Sequence, residues 1–131
     1  MKRLILLCII LSCLLMGCGK QPTYIDNGNP GQIKVTVFYD DNRNGKLDSG
    51  ETGAPVEAGI SQDISCPPSN SDKNIYSNAD VNGVALFEDV KPGKYCVGLN
   101  GNYSNTTRMN LEVYVSSDLR TVVSFGIARE P

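Results

Sequence analysis

The sequence predicts an all-β fold, a sandwich of seven short strands in two sheets, and three observations carry that reading. From Gln32 onward, apolar residues recur with a period of two, the mark of a half-buried strand. Turn formers such as Asn82-Gly83 and Pro92-Gly93 separate the runs. No segment after residue 31 spaces its apolar residues as a helix would. So many strands in so short a chain call for two packed sheets, with a barrel as the alternative architecture.

Ahead of the domain, Lys2 and Arg3 precede an apolar stretch over residues 4–16 interrupted only by Ser12. Positive charge followed by a short apolar segment is the arrangement of an export signal. The stretch is shorter than the roughly 20 residues a membrane-spanning helix requires. Residues 1–17 are therefore expected to be removed. Leu15-Met16-Gly17-Cys18 resembles the lipobox of bacterial lipoproteins, which implies that the Cys18 thiol is diacylated and becomes the new N-terminus. An ordinary signal peptide cut near Gly17 or Gly19 is the alternative. Residues 18–31, rich in Gly, Pro and Asn, read as a lipidated flexible tether. The domain itself is expected over residues 32–131.

The first strand is read over 32–39, where Ile33, Val35, Val37 and Tyr39 alternate with Gln32, Lys34, Thr36 and Phe38. Phe38 makes its second face partly apolar. A second strand is expected around 55–61, with Pro55 at its start, where a missing N–H is tolerated. Residues 75–79 are expected to form a hairpin with 84–87 across Asp80-Val81-Asn82-Gly83, since Asn-Gly supplies the positive φ angles of tight turns. Strands over 94–99, 111–115 and 120–128 complete the set. The Asn-, Ser- and Thr-rich stretch 100–110 reads as a surface loop.

Between the first two strands, residues 40–51 fit the twelve-residue EF-hand calcium loop at every ligand position. Asp40, Asn42 and Asn44 stand at positions 1, 3 and 5, Gly45 at the sharp turn, and Lys46 at position 7, where the backbone carbonyl is the ligand. Asp48 and Glu51 take positions 9 and 12, Glu51 as the bidentate ligand. A hard cation wants about seven oxygens, and this turn wraps every second residue inward. Ca²⁺ is thus the expected cofactor. Leu47 at position 8 is expected to turn toward the core. With only three formal negative charges in the shell, an affinity of about 10⁻⁵ to 10⁻³ M is expected. The alternative is a polar connection built of Asx-turns.

Composition limits the chemistry further. The 131-residue chain has neither His nor Trp, so acid–base catalysis would need a perturbed carboxylate, Lys or Tyr. No such constellation is visible, and an enzyme is not expected. Loss of Lys2 and Arg3 leaves ten basic against fourteen acidic side chains, a formal charge of −4 without a basic cluster. Nucleic acid is a poor partner for such a surface. Cys8 and Cys13 leave with the signal and Cys18 is taken by lipid, so Cys66 and Cys96 remain to form a disulfide in an oxidising compartment. Two reduced, buried thiols are the alternative.

Three elements carry a wider likeness. They are Val37-Phe38-Tyr39-Asp40 running into the loop and Glu51-Thr52-Gly53; the stretch from Asn78 through Asp80-Val81-Asn82-Gly83 to Phe87; and Val90-Lys91-Pro92-Gly93-Lys94-Tyr95-Cys96-Val97. With Ser124-Phe125-Gly126-Ile127 as closing strand, the chain resembles the SdrD B-like domains of bacterial surface proteins, cousins of the collagen-adhesin B-type (CnaB) repeats and of the prealbumin-like, Ig-like sandwich. The resemblance implies a calcium-binding, non-catalytic structural or interaction module. Some relatives join Lys in the first strand to Asn or Asp in the last by an isopeptide bond. Lys34 occupies the first position, but residues 121–128 hold no acceptor, so Lys34 is read as a surface or edge residue. The expected setting is the bacterial cell envelope, lipid-anchored at the outer membrane or cell surface, with an envelope or extracellular protein as partner. A carbohydrate-binding accessory domain is the second functional reading, with Tyr76 and Tyr103 as the expected exposed aromatics.

Replacing the lipid-accepting thiol tests the anchor. Cys18→Ser is expected to abolish incorporation of labelled fatty acid and to shift the intact mass to that of unlipidated or unprocessed chain; identical mass and labelling in the two proteins would refute it.

Overall fold

The computed structural model describes residues 24–62, 65–66 and 73–130. The signal segment, Cys18 and the first part of the tether lie outside these residues. Seven strands follow in order: β1 Gly31–Tyr39, β2 Glu57–Ser61, β3 Asn74–Asn78, β4 Val84–Val90, β5 Gly93–Leu99, β6 Asn110–Val115 and β7 Arg120–Ile127. No α-helix occurs among the described residues. The strands form one three-stranded sheet, β4-β1-β7, and one four-stranded sheet, β3-β2-β5-β6. This is the expected sandwich, with each strand within a few residues of its sequence-read bounds.

Strand β1 is the centre of the first sheet. It runs antiparallel to β4 and parallel to β7, in register from Gln32 opposite Arg120 to Tyr39 opposite Ile127. Its alternation places Ile33, Val35 and Val37 on the inner face, where they are fully buried. Phe87, Phe125 and Ile127 join them from the flanking strands, and Ala58, Ile60, Tyr95, Val97 and Val115 face them from the second sheet. Burying each large aliphatic or aromatic side chain contributes about 1.5–3 kcal/mol, so this interdigitated layer is the main source of stability. Lys34 lies partly buried between Leu86 and Val122 on the outer face of this central strand, so it is a surface residue but not an edge one.

The expected hairpin over 75–87 does not form. β3 pairs with β2 and β4 pairs with β1, so the turn at 80–83 carries the chain from one sheet to the other. The turn is nonetheless tight: Gly83 N–H donates to the Asp80 carbonyl, and Asp80 Oδ1 accepts the N–H groups of Asn82 and Val84. What diverts β4 is β1. Val37 N–H donates to the Gly83 carbonyl at 2.7 Å, while the Val37 carbonyl accepts from Ala54 at 2.9 Å. The backbones at Gly53, Gly83 and Val37 meet here without room for a side chain: a Cβ on Gly83 would lie 1.9 Å from the Val37 carbonyl oxygen, and one on Gly53 2.0 Å from the backbone of Asn82. Glycine at 83 thus serves close approach as well as its φ of 75°.

A hydroxyl bridges the sheets on each side of the sandwich. On one, the Thr121 hydroxyl donates to the Tyr114 carbonyl and links β7 to β6. On the other, the Ser77 hydroxyl donates to the Leu86 carbonyl at 3.4 Å, and the edges of β3 and β4 flank a groove of about 750 Å³. A bulge opposite Gly31–Ile33, with Asp89 at φ 52°, interrupts the β4 ladder and works against edge-to-edge aggregation. Cys66 and Cys96 are joined in a disulfide that ties the connection after β2 to the middle of β5, as expected.

Residues 24–30, read as part of a free tether, are hydrogen-bonded to the β6–β7 turn. Ser117 N–H donates to the Ile25 carbonyl, and the side-chain amides of Asn27 and Asn29 both donate to Asp118 Oδ2. Those amides hold the Asp118 carboxyl below its ordinary range.

The crossing at Gly83 gives a direct test. Gly83→Ala should lower unfolding stability by about 3 kcal/mol or more, from left-handed strain together with backbone collision. Gly50→Ala, at φ 96° with nothing within 4 Å, should lose only about 1–2 kcal/mol. Urea denaturation of the two variants against the parent measures the difference, and equal losses would contradict the close-packing account.

Candidate metal centre

The loop over 40–51 begins where β1 ends, and the alternation of β1 decides how it begins. Tyr39 falls on the inner side, packed against the core, and Asp40 on the outer side beside Phe38, yet with 0 % of its surface exposed. A carboxylate so placed must be compensated. Asp40 Oδ1 accepts from Asn44 N–H at 3.0 Å and Oδ2 from Gly45 N–H at 2.8 Å, which curls the chain back over the strand end. Arg43 at φ 58° and Gly45 at φ 75° permit that curl. Burial raises the Asp40 carboxyl, but the Thr106 hydroxyl and the Gly45 and Asn44 N–H groups favour its charged form, and it ends below its ordinary 3.8. Thr106 Oγ1 itself is buried without a partner of full hydrogen-bonding geometry.

Further along, Asn42, Asn44 and Asp48 converge. The side-chain amides of Asn42 and Asn44 donate to the same oxygen, Asp48 Oδ2, at 2.8 and 2.6 Å. Asn42 Oδ1 accepts Asn44 N–H and Asn44 Oδ1 accepts Lys46 N–H. The two amides, ahead of the charge on Lys46, draw Asp48 below its ordinary value, against an opposing effect of the Asp40 charge. Glu51 closes the loop: its Oε1 accepts Asp41 N–H at 3.0 Å and its Oε2 accepts Asp48 N–H at 2.9 Å. Positions 3, 5 and 9 therefore meet at one point, while positions 1 and 12 are held by backbone N–H groups at either end of the turn. Lys46 lies between them with its N–H turned inward. Leu47 does not reach the core as expected; it is 54 % exposed, because the loop stands off the end of the sandwich.

Three supports of this loop come from distant parts of the chain. Arg129, just past β7, donates from Nε to Asp41 Oδ1 at 3.0 Å and from Nη2 to Thr52 Oγ1 at 2.8 Å, and its guanidinium lies 4.1 Å from the centre of the Tyr39 ring. It thereby joins both arms of the loop across their base. Thr106 and Thr107 arrive from the 100–110 segment, where Thr106 N–H donates to the Gly126 carbonyl and Gly126 N–H to Thr107 Oγ1. A Cβ on Gly126 would come within 2.5 Å of Thr106 Oγ1 and 3.1 Å of both Asp40 Cβ and Phe38, so glycine there allows this layer to close. That layer buries Phe38 on the outer side of its sheet. Sequence spacing gave no sign of these supports, since a Thr or Arg becomes part of the site only through strand pairing.

The donor set fits a hard cation in its chemistry. Every candidate side-chain ligand is a carboxylate or amide oxygen, and a half-turn of either Asn amide exchanges its nitrogen for its oxygen at the point facing Asp48. Among the described residues no three Asp, Glu, His or Cys side chains gather as a metal-holding group by themselves. A cation here would draw on the amides and a backbone carbonyl as well as the acids.

Comparison with known proteins places the fold. No family model matches the chain. Colossin-B of Dictyostelium discoideum is 37 % identical over 67 residues, which is 47 % of this chain and 2 % of that protein. Among solved structures, the minor pilin GBS52 of Streptococcus agalactiae is similar with a TM-score of 0.54 at 10 % identity, over 79 % of this chain and 46 % of that one. The major pilin SpaD of Corynebacterium diphtheriae gives 0.55 at 13 % identity, over 83 % and 34 %. The major pilin BcpA of Bacillus cereus gives 0.54 at 14 %, over 78 % and 31 %. The chain spans less than half the length of each of these proteins, and at such identities the likeness is one of fold. It agrees with the prealbumin-like, Ig-type sandwich.

The depressed carboxyls give a pH test. Asp40 and Asp48 have folded values below 3.8, so as pH falls the unfolded chain takes up protons first. Their stabilising effect is complete above the ordinary value and is lost as pH falls through the folded ones. In metal-free buffer, stability from urea unfolding should be level between about pH 7 and 5 and decline below about pH 4. Asp48→Asn should shallow the decline, and an unchanged acid limb would count against the assigned hydrogen bonds.

Proposed function

We propose that this chain is a calcium-stabilised, non-catalytic structural or interaction module of a bacterial surface lipoprotein. It is anchored in the cell envelope through lipid on Cys18 and presents its sandwich to an envelope or extracellular protein. The observation that carries the reading is the meeting of Asn42, Asn44 and Asp48 at one point beside the buried Asp40. Asp40, Asn42, Asn44, the Lys46 carbonyl, Asp48 and Glu51 are the residues that would hold the ion. Bound calcium supplies charge neutralisation to a turn in which three carboxylates otherwise repel one another. The chain's own part is to fix the ends of the turn, through β1 on one side and Arg129 on the other.

Support for a structural or interaction role comes from the fold, a rigid sandwich similar to pilin domains, and from an oxygen-rich loop with no nucleophile–base pair beside it. The secretory disulfide between Cys66 and Cys96 suits an oxidising, exported location.

Thermal unfolding tests the calcium reading. In millimolar Ca²⁺ the midpoint should rise relative to EGTA, since free ion at about 100 times its dissociation constant adds roughly 2.7 kcal/mol. Mg²⁺ should do much less, because it is smaller and gives up its waters reluctantly. Glu51→Gln should remove most of the shift, and Glu112→Gln, at the exposed Lys94 ion pair, should leave it intact. Superimposable melts in EGTA, Mg²⁺ and Ca²⁺, with no heat on calcium titration, would reduce the loop to a polar connection.

A further inference from the structure

Beside the base of the metal loop lies a second concavity, of about 450 Å³, bounded by β1, the 100–110 segment and the chain after β7. Tyr39 and Tyr103 line it, with Asn102, Ser104, Arg129 and Glu130. Its size suits one or two sugar rings, and small-ligand sites commonly pair apolar faces with a few fixed polar groups.

The walls are held in place. Ala128 N–H donates to the Ser104 carbonyl, Asn105 bridges to Ile127, and Asn105 N–H donates to the Tyr103 carbonyl, so a segment that reads as a surface loop is fastened to the end of β7. Tyr103, expected to be exposed, instead packs against the core, its ring over Gly101, where a Cβ would lie 2.8 Å from it. Tyr39 is covered on one side by Arg129. A site built of groups already immobilised loses little entropy when a ligand arrives.

Its charge distribution selects the ligand class. Arg129 is already engaged by Asp41, Thr52 and the Tyr39 ring, which leaves it poorly placed to capture an anion. Glu130 at the rim accepts hydrogen bonds and repels negative charge. Asn102 and Ser104 both donate and accept. Tyrosine rings offer apolar surface to the C–H face of a pyranose, and amides and carboxylates match its hydroxyls. We propose that this concavity is a binding site for a neutral pyranoside, the non-reducing end of a surface glycan or a free sugar. The site is separate from the calcium loop in its ligands, although Tyr39 and Arg129 belong to the surroundings of both.

Among the described residues the core cluster runs from Ile33 to Ile127, and the test uses the soluble chain from residue 19 to residue 131. Nuclear magnetic resonance titration of this domain with the methyl glycosides of glucose, galactose, mannose and N-acetylglucosamine, each to about 50 mM, covers the weak affinities typical of one-sugar sites. At least one glycoside should produce saturable shifts centred on residues 39, 102–104 and 129–130. Asn102→Ala and Glu130→Gln, both at exposed positions, should each weaken binding about 5-fold, the weight of one hydrogen bond, without altering the melting temperature. A glycan carrying the same sugar at its non-reducing end, binding more tightly than the monosaccharide, would identify the polymer as the source. No saturable shift with any glycoside, shifts centred on Tyr76 and the β3–β4 groove, or equal binding of N-acetylneuraminate would each overturn the proposal. The calcium melts on the same sample are read separately: a calcium effect without sugar binding sinks only this site, and sugar binding without a calcium effect leaves it standing.

Discussion

A single buried carboxylate sets the conditions for one whole end of this molecule. Asp40 ends the central strand of its sheet with its side chain withdrawn from water. A charge so placed needs hydrogen-bond donors in place of water. The chain therefore turns back at once to bring the Asn44 and Gly45 N–H groups onto its two oxygens, and the 100–110 segment packs Thr106 against it. Asp40 also donates its own N–H to the Ile127 carbonyl, which anchors it to β7. The loop, the last strand and the long polar segment are coupled through this one residue.

That coupling links the two candidate sites. Tyr39 and Asp40 are adjacent and point to opposite sides of β1, so the residue that begins the metal loop and the residue that lines the neighbouring concavity are fixed by the same strand register. Arg129 spans both. A displacement of the loop that broke its bond to Asp41 would also free the guanidinium from Tyr39. At the opposite end, the chain entering the domain is held on Asp118 and Ser117, so this entrance and the loop end sit at the two termini of the same central strand.

Both flanks of the sandwich are bridged by a hydroxyl that donates to a carbonyl, Thr121 to Tyr114 between β7 and β6 and Ser77 to Leu86 between β3 and β4, the second beside an apolar groove. Within the second sheet, the disulfide adds a covalent tie from β5 to the connection after β2, which in the chain-entropy account contributes about 3–4 kcal/mol for a loop of this length. At the edge strand β4, the Asp89 bulge interrupts the ladder and works against edge-to-edge pairing.

The sequence by itself determined the extents of the strands and the order of the Asp and Asn side chains that fold the loop, because both are local. A period of two is set by the pleat, and the Asp and Asn positions after Asp40 are set by the backbone N–H groups their side chains accept a few residues on. The pairing of Cys66 with Cys96 was also legible, by elimination. Tertiary structure alone decided which strands became neighbours. Asn82-Gly83 reads as a hairpin turn, yet Val37 takes the Gly83 carbonyl and draws β4 into the other sheet, a competition between backbone donors some forty-five residues apart that leaves no local trace. The same holds for Arg129 and Thr106, which reach the loop through strand pairing. It holds as well for Leu47, left in water because nothing packs behind it, and for Tyr103, drawn inward by the glycine beneath its ring. Periodicity records which face of a strand is buried, but the partner on that face is chosen by the competition of the whole chain for hydrogen bonds and apolar contact.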